Sequence, residues 1–214
     1  MRSVRLLVAA LVAPVVLTGC LTGQRAHFAP DAAQVSDPAI TAVLAKLEAA
    51  NTGQFTATYS LLTKFGDVTT QATVAQTSPV AKSITVGTVR FLTLDISNQT
   101  CELTTSTCVD SFDDAQISNL SFSHDFYAVS PAARIRQDAT TMVGPAIGST
   151  QQIAGQPATC VQVSFAGAGN NKKYCALDSG LLALQDTPDL RIELLGLTPG
   201  ADQSLFTTST TPSG

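Results

Sequence analysis

The apolar positions between residues 36 and 206 follow two periods, one typical of helices and one typical of strands. The segment Ser36-Asp37-Pro38 is typical of a helix start. The apolar positions behind it lie at i, i+3, i+4 and i+7 and so share one helix face; they are Ile40, Val43, Leu44 and Leu47. With Gly53 as the stop, the pattern predicts an amphipathic helix over 38–51.

From Gln54 onward the period changes to two, which is typical of half-buried strands. The first apolar set is Phe55, Ala57, Tyr59 and Leu61. The alternation resumes over 68–74, behind the turn at Gly66-Asp67, and continues in two β-rich segments of 83–96 that Gly87 separates. These segments predict an antiparallel meander with one solvent-facing side.

The middle of the chain returns to helical patterns, which predict helices over 110–120 and 130–143. The second helix is marked by Ser130 as N-cap, Pro131 at the first helical position and Gly144-Pro145 as the stop. Strand patterns occupy the remainder, at 161–165, 173–177, 181–184 and 190–194. The order of helix, meander, helices and meander predicts a single α+β domain over 37–206 with an antiparallel sheet.

The N-terminus carries a pattern of its own, with Arg2 and Arg5 followed by an almost wholly apolar run over 6–17. The run is shorter than the roughly 18–20 apolar residues that span a bilayer, and it matches the core of a signal peptide. Leu17-Thr18-Gly19-Cys20 resembles the bacterial lipobox, which implies cleavage after residue 19 and lipidation of Cys20. The alternatives are a secretory peptide with an incidental cysteine and a buried core helix.

A lipobox at this place divides the chain into a lipoprotein signal peptide over 1–19, a lipidated tether over 20–36, and the α+β domain. The final stretch over 207–214 is rich in Ser and Thr, and we predict that it is disordered. The expected location is the extracytoplasmic side of the cell membrane. The membrane itself is then a partner, through the N-terminal lipid anchor.

Four further cysteines follow the predicted anchor, and in an oxidising compartment they predict two disulfides. Three pairings are possible, and the local pairs Cys101–Cys108 and Cys160–Cys175 are favoured because short loops cost the least entropy to close. The separations do not match the C-x2–4-C spacing of zinc sites. If Val161 and Val163 point inward, the Cys160–Cys175 bridge lies on the outer, solvent-facing side of its hairpin.

Charge argues against nucleic-acid binding, because 12 Lys and Arg stand against 16 Asp and Glu, and Lys172-Lys173 is the only adjacent basic pair. His124 lies between Ser123 and Asp125, but sequence neighbours point apart in a strand or helix, and no G-x-S-x-G elbow is present. We interpret His124 as a surface residue. The acidic group at 110–114 is typical of a helix start rather than of a calcium loop. The sequence therefore predicts no enzyme activity, no cofactor and no metal.

The order of elements resembles that of the LolA/LolB-like half-barrels and of the actinobacterial lipoproteins of the LppX/LprG type. The stretches IAGQPATCVQVSF (153–165) and YCALDSGLLAL (174–184) are similar to a strand-turn-strand with a structural disulfide found among actinobacterial lipoproteins. The resemblance implies a half-barrel, in which a curved antiparallel sheet cups two or three helices around an apolar cavity. In those families the cavity holds acyl chains.

Such a cavity predicts a lipid or acyl-chain ligand. The inward parity of the strands and the apolar helix face supply its candidate lining, which comprises Ile40, Val43, Leu44, Leu47, Phe55, Tyr59, Leu61, Val161, Val163 and Phe165. Four further aromatic residues are candidates for the same lining, namely Phe91, Phe122, Phe126 and Tyr127. The alternative function is a non-enzymatic binding or scaffolding module of the cell envelope, with a packed core and an unidentified envelope protein as partner. A large apolar cavity favours the lipid-binding function, and a solid core with an exposed apolar patch favours the scaffolding function.

Overall fold

The computed structural model describes residues 36–49, 51–167 and 169–207. The predicted signal peptide over 1–19, the predicted lipidation site Cys20 and nearly all of the predicted tether lie outside the described residues. The predicted tail also lies outside them, apart from Thr207.

The described part of the chain contains eleven strands, three α-helices and one short 3₁₀ helix. The strands are β1 (Phe55–Thr63), β2 (Val68–Ser78), β3 (Ala81–Val86), β4 (Val89–Leu94), β5 (Ser97–Glu102), β6 (Thr107–Val109), β7 (Ile147–Ile153), β8 (Gln156–Ser164), β9 (Asn171–Leu177), β10 (Leu182–Asp186) and β11 (Leu190–Pro199). The helices are α1 (Pro38–Leu47), α2 (Asp114–Leu120), α3 (Val129–Ala139) and the 3₁₀ helix Gln203–Phe206.

All eleven strands form one sheet in the order β6-β5-β4-β3-β2-β1-β11-β10-β9-β8-β7. The pairings are antiparallel throughout. The strand β1 joins the two meanders, because it pairs with β2 of the first and with β11 of the second. The α+β class with an antiparallel sheet and helices is confirmed. The half-barrel form of that sheet stays a prediction.

The α-helices pack against one face of the sheet, which we call the helix-bearing face. A Cβ atom placed on Gly148 would lie 3.2 Å from the Cβ of Ala39 in α1, so the strand and the helix approach closely at this position. Gly148 is directly opposite Val161 in the register, which places Val161 on the same face. The ring of Tyr59 meets that of Phe126, from the segment between α2 and α3, with centroids 5.2 Å apart. The strand side chains that were predicted to point inward are therefore the ones that face the helices.

The opposite face is only partly exposed to solvent. Thr58 and Gln71 are exposed there, as the alternation predicts. The 3₁₀ helix, however, lies against β3, where the Ser83 hydroxyl donates a hydrogen bond to the Leu205 carbonyl at 2.7 Å. Ser83 and Leu92 are buried on this face. The expectation of one solvent-facing side is thus wrong for β3 and β4, because a segment more than 100 residues away in sequence folds over them.

Four helix boundaries differ from the prediction. The second helix begins at Asp114 rather than at 110, and the third ends at Ala139 rather than at 143. The first helix ends at Leu47 rather than at 51. The third begins at Val129, so Ser130 lies inside its first turn and is not the N-cap, which is Ala128. The Asp125 carbonyl accepts hydrogen bonds from the backbone N–H groups of Ala128 and Ser130, and this tight turn satisfies donors that a capping side chain would otherwise serve.

Candidate ligand-binding site

The residues predicted to line an acyl-chain cavity lie in the hydrophobic core. All except Phe165 are at most 6% exposed and belong to one cluster that joins α1 to the helix-bearing face of the sheet. Phe165 is partly buried, and the ammonium group of Lys172 lies 4.7 Å from the centroid of its ring. These side chains contact one another and form a packed core. Their role as a ligand lining stays a prediction.

A cavity of about 260 Å³ lies elsewhere on the helix-bearing face, where α2 and α3 cross β10 and β11. We call it the α2–α3 cavity. Its lining comprises Ile117, Ser121, Phe122, Ser123, Phe126, Ser130, Arg134, Gln185, Leu190 and Ile192. Only Phe122 and Phe126 among these are predicted lining candidates, so sequence periodicity missed most of the cavity.

The position of α2 is set by its first residues. Asp113 caps the helix by accepting hydrogen bonds from the N–H groups of Ala115 and Gln116, at 2.9 and 3.4 Å. The buried hydroxyl of Thr100 in β5 accepts a hydrogen bond from the Asp113 N–H and donates one to the Ser111 carbonyl. The expected capping role of the acidic group is thus taken by Asp113. None of the α2 side chains is fully buried, so this wall of the cavity is held mainly from its N-terminus.

The turn between α2 and α3 supplies the aromatic wall. Ser121 ends α2 in the left-handed region at φ 59°, and the chain then turns Phe122 and Phe126 toward the sheet. The carbonyl of Tyr127 accepts a hydrogen bond from the Leu182 N–H at 2.7 Å, which ties this turn to the start of β10. Burial raises the pKa of Tyr127 to about 12, so its phenol stays neutral at physiological pH.

Gln185 is the unusual member of the lining. It is 1% exposed, and its side-chain nitrogen has no hydrogen-bond partner among the described residues. In the register it lies opposite Tyr174 and Ile192, which places it on the helix-bearing face. The sequence signal is a lone amide at the end of the apolar run LLAL (181–184), but the pattern alone does not show which face it takes.

Arg134 lines the same cavity from α3, one turn behind Ser130. Within the described part of the chain, its guanidinium group forms neither an ion pair nor a hydrogen bond. Asp189 is close enough to be influenced by it. The pKa of Asp189 is lowered, first by the hydrogen bond from Thr187 and to a smaller extent by the charges of Arg134 and Lys172.

His124 is not the surface residue that we predicted. Its imidazole is half-buried, with its centroid 4.1 Å from that of Phe112 and 6.1 Å from that of Phe91. Its Nδ1 atom is buried and has no hydrogen-bond partner within the described ranges. The aromatic neighbours come from β4 and from the loop before α2, and this long-range contact is not visible in the local sequence SFSHDFY.

A second polar cluster lies on the helix-bearing face, near α3. The Asp138 carboxylate accepts hydrogen bonds from the Tyr174 hydroxyl at 2.7 Å and from the Lys172 ammonium at 2.6 Å. Burial and this hydrogen bond raise the pKa of Tyr174. Because every charge in this cluster has a partner, we interpret the cluster as a structural link between α3 and β9.

Both local disulfides are present. Cys101 bonds Cys108 between β5 and β6, and Cys160 bonds Cys175 between β8 and β9, with each pair directly opposite in its hairpin. The second bridge lies on the face opposite Val161, as expected, but it is not solvent-facing. Cys160 and Cys175 are 1% and 0% exposed, because Leu177 and Leu184 flank them on that face.

No group of three or more His, Cys, Asp or Glu side chains with the arrangement of a metal site occurs among the described residues. None of the described helices has the length and apolar composition needed to cross a bilayer. Two disulfides are typical of a protein that folds outside the cytoplasm.

Comparison with known proteins adds evidence about the fold. No protein-family model matches the sequence, and no curated protein matches it. A chain in the structure of the Pseudomonas aeruginosa MucA/MucB complex is 13% identical, with a TM-score of 0.51 over 78% of this chain and 60% of that one. LprF from Mycobacterium bovis is 11% identical, with a TM-score of 0.35 over 73% of this chain and 91% of that one.

The first similarity shows a shared fold, and this chain spans about 60% of the length of the Pseudomonas chain that it matches. A DUF1329 family protein from Desulfovibrio piger is more distant, at 9% identity and a TM-score of 0.33 over 83% of this chain and 100% of that one. The shared fold is thus an antiparallel sheet with helices on one face, known from a protein that was solved as a complex with another protein.

Proposed function

We propose that this protein is a membrane-anchored extracytoplasmic lipoprotein that binds an amphipathic ligand, a lipid or a single acyl chain, between its helices and its sheet. The observation that carries the proposal is the α2–α3 cavity of about 260 Å³, whose lining combines apolar and polar side chains. The protein acts by binding its ligand and not by transforming it. The cavity replaces the predicted lining as the location of the site.

The size of the cavity limits the ligand. Its volume of about 260 Å³ is slightly below the roughly 300–1,000 Å³ of typical small-molecule pockets, so it suits one chain end rather than several chains. Each buried methylene contributes about 0.8 kcal/mol, before the costs of association. A single chain in contact with the rings of Phe122 and Phe126 therefore binds without any charged contact.

The weak attachment of α2 supports a route for ligand entry. The helix spans Asp114–Leu120 and buries none of its side chains completely, and only Ile117 and Leu120 pack partly against the core. Elements with few buried apolar contacts open at low free-energy cost. Movement of α2 would enlarge the α2–α3 cavity while the sheet stays intact.

A second candidate function is docking of another envelope protein. The observation that favours it is an exposed apolar cluster at one end of the sheet, where Val80, Leu94 and Ile96 are 52%, 38% and 95% exposed. The Asp95 N–H donates a hydrogen bond to the Val80 carbonyl at 2.8 Å, which holds the two turns together. Exposed apolar patches are typical of protein–protein contacts, and the MucA/MucB neighbour was solved as a protein complex.

Mass spectrometry of the protein extracted from its own membrane tests the proposal. We expect two kinds of added mass: a covalent lipid that survives denaturation and is absent from Cys20→Ser, and a noncovalent ligand that is lost on denaturation. The Cys20→Ser variant is the control that separates the anchor from the bound ligand.

A protein that carries no noncovalent lipid, and that after lipid removal shows no saturable binding of a fluorescent fatty acid, would exclude the ligand-binding role. The docking function would then be preferred. A covalent lipid that remains attached in the Cys20→Ser variant would exclude Cys20 as the anchor residue.

A further inference from the structure

The α2–α3 cavity has polar lining residues that burial of an acyl chain does not explain. They are Ser121, Ser123, Ser130, Arg134 and Gln185. We propose that these residues bind a monoanionic head group, a carboxylate or a phosphodiester, whose apolar stem lies against the aromatic and aliphatic residues of the cavity. The inference rests on the proposed function and specifies the chemistry of its ligand.

The buried amide of Gln185 is the first observation. The side chain lines the cavity and is 1% exposed, yet no described residue accepts a hydrogen bond from its nitrogen. A buried donor without an acceptor destabilises a fold, and nearly all such groups in native proteins have a partner. The missing acceptor is therefore expected from a molecule inside the cavity, and an anionic oxygen is the strongest acceptor available.

The second observation is a guanidinium group without a direct partner. Arg134 lines the cavity, and in the described ranges its side chain has neither an ion pair nor a hydrogen bond, although its charge acts on Asp189 at longer range. Arg136 on the same helix, by contrast, pairs with Glu48. A guanidinium group presents paired donors that match the geometry of carboxylate and phosphate oxygens. One unpaired cation matches one negative charge, which favours a monoanion.

The first turn of α3 supplies a third contribution. Ser130 is the second residue of this eleven-residue helix and lines the cavity. The helices α1 and α2 both have an aspartate at the N-cap, whereas Ala128 at the N-cap of α3 gives no side-chain hydrogen bond. The Ser130 N–H already donates to the Asp125 carbonyl and Pro131 has no N–H, so this helix end contributes its partial positive charge rather than free donors. No carboxylate of the cap offsets that charge, and it favours an anion in the cavity.

The remaining lining fits the stem of such a ligand. Its apolar members are Ile117, Phe122, Phe126, Leu190 and Ile192. The cavity is thus amphipathic, as the ligand must be. A free inorganic anion would leave these apolar residues in contact with water. A neutral lipid oxygen could accept a hydrogen bond from Gln185, but it would give Arg134 no opposite charge.

Competition binding tests the inference. The wild-type chain, freed of bound lipid, is loaded with a fluorescent fatty acid and challenged with four probes: a fatty acid, the alcohol of the same chain length, a lysophosphatidylglycerol and inorganic phosphate. We expect the anionic amphiphiles to displace the dye at concentrations about tenfold or more below that of the alcohol, because a hydrogen bond to a charged group is stronger than one to a neutral group. The anion that displaces the dye at the lower concentration, the fatty acid or the lysophosphatidylglycerol, then identifies the head group.

Two variants localise the effect. Arg134→Gln is expected to weaken binding of the anions about tenfold and to leave the alcohol unchanged. Lys82→Gln is the matched control, since Lys82 is the other described Lys or Arg without a polar partner and does not line the cavity. Gln185→Leu is expected to weaken anion binding while raising the melting temperature, because it removes a buried unpaired donor.

Equal displacement by acid and alcohol, unaffected by Arg134→Gln, would overturn the head-group inference and leave lipid binding standing. Displacement by inorganic phosphate as effective as that by the fatty acid would also overturn it, because the stem would then be irrelevant. Absence of binding by every amphiphile would overturn both the inference and the proposed function. Arg134 is exposed, so its replacement is compatible with folding.

Discussion

At the scale of single residues, two buried tyrosines on the helix-bearing face differ in the partner of their hydroxyl group. Tyr174 donates to the Asp138 carboxylate at 2.7 Å. The Tyr59 hydroxyl is buried with no partner among the described residues, although its ring packs edge-on against Phe126. Burial raises the pKa of both phenols. The same residue type therefore contributes to stability with opposite signs at the two positions.

We expect Tyr59→Phe to raise the free energy of unfolding by about 1 kcal/mol, because it removes a hydroxyl that is buried without a hydrogen bond. The matched change Tyr174→Phe should lower it by about 1–3 kcal/mol, because it removes a hydrogen bond to a buried carboxylate. Urea denaturation of both variants measures the difference. Equal destabilisation by the two changes would show that the Tyr59 hydroxyl has a partner in solution, such as a bound water.

At the scale of elements, a single carboxylate connects α1 to the strand that begins the second meander. One oxygen of Asp37 caps α1 by accepting from the N–H groups of Ala39 and Ile40, at 2.9 and 3.3 Å. The other oxygen accepts from the Ala146 N–H at 2.9 Å, directly before β7. The Asp113 carboxylate caps α2 in the same way but makes no such second link among the described residues. The first cap thus contributes to tertiary as well as to local structure.

We expect Asp37→Ala to lower the free energy of unfolding by about 2 kcal/mol, of which about 1 is the lost cap and about 1 the unpaired N–H of Ala146. Asp113→Ala is the control for a cap without a tertiary link and should cost about 1 kcal/mol or less. Chemical denaturation compares the two variants. A larger loss for Asp113→Ala would contradict the linking role of Asp37.

At the scale of the whole molecule, the two disulfides lie in different halves of the sheet. Cys101–Cys108 joins β5 to the edge strand β6, and Cys160–Cys175 joins β8 to β9, one strand in from the other edge. Between them the two meanders meet at β1 and β11, where Phe55 pairs with Pro199. Each bridge therefore closes a local hairpin, while the centre of the sheet depends on contacts between distant parts of the chain.

We expect removal of the Cys160–Cys175 bridge, as a double alanine variant, to cost about 3 kcal/mol for a closed loop of this length. The Cys101–Cys108 bridge closes a shorter loop, with a separation of 7 residues against 15, and its removal should cost less. Thermal unfolding of the two double variants tests the order. A non-reducing peptide map that linked Cys160 to Cys101 or Cys108 would contradict the hairpin register itself.

The sequence by itself determined what depends on neighbours in the chain. The period of two identified the inward parity that includes Tyr59 and Val161, and Asp37-Pro38 marked the start of α1. Cysteines 7 and 15 residues apart predicted local disulfides because short loops close at the lowest entropic cost. The strand β7 was missed because its sequence, IGSTQQI, has no apolar alternation; only its pairing with β8 makes it a strand.

The tertiary structure alone decided where space remains and which polar groups lack partners. Gln185 and Arg134 are 51 positions apart in sequence, and they line one cavity because α3 crosses β10. The 3₁₀ helix buries Ser83 for the same reason, since it returns to a strand formed far earlier in the chain. Local periodicity indicates toward which face of the sheet a side chain points. It does not indicate what packs against that face, because this depends on how distant segments pack and on the volume that they leave unfilled.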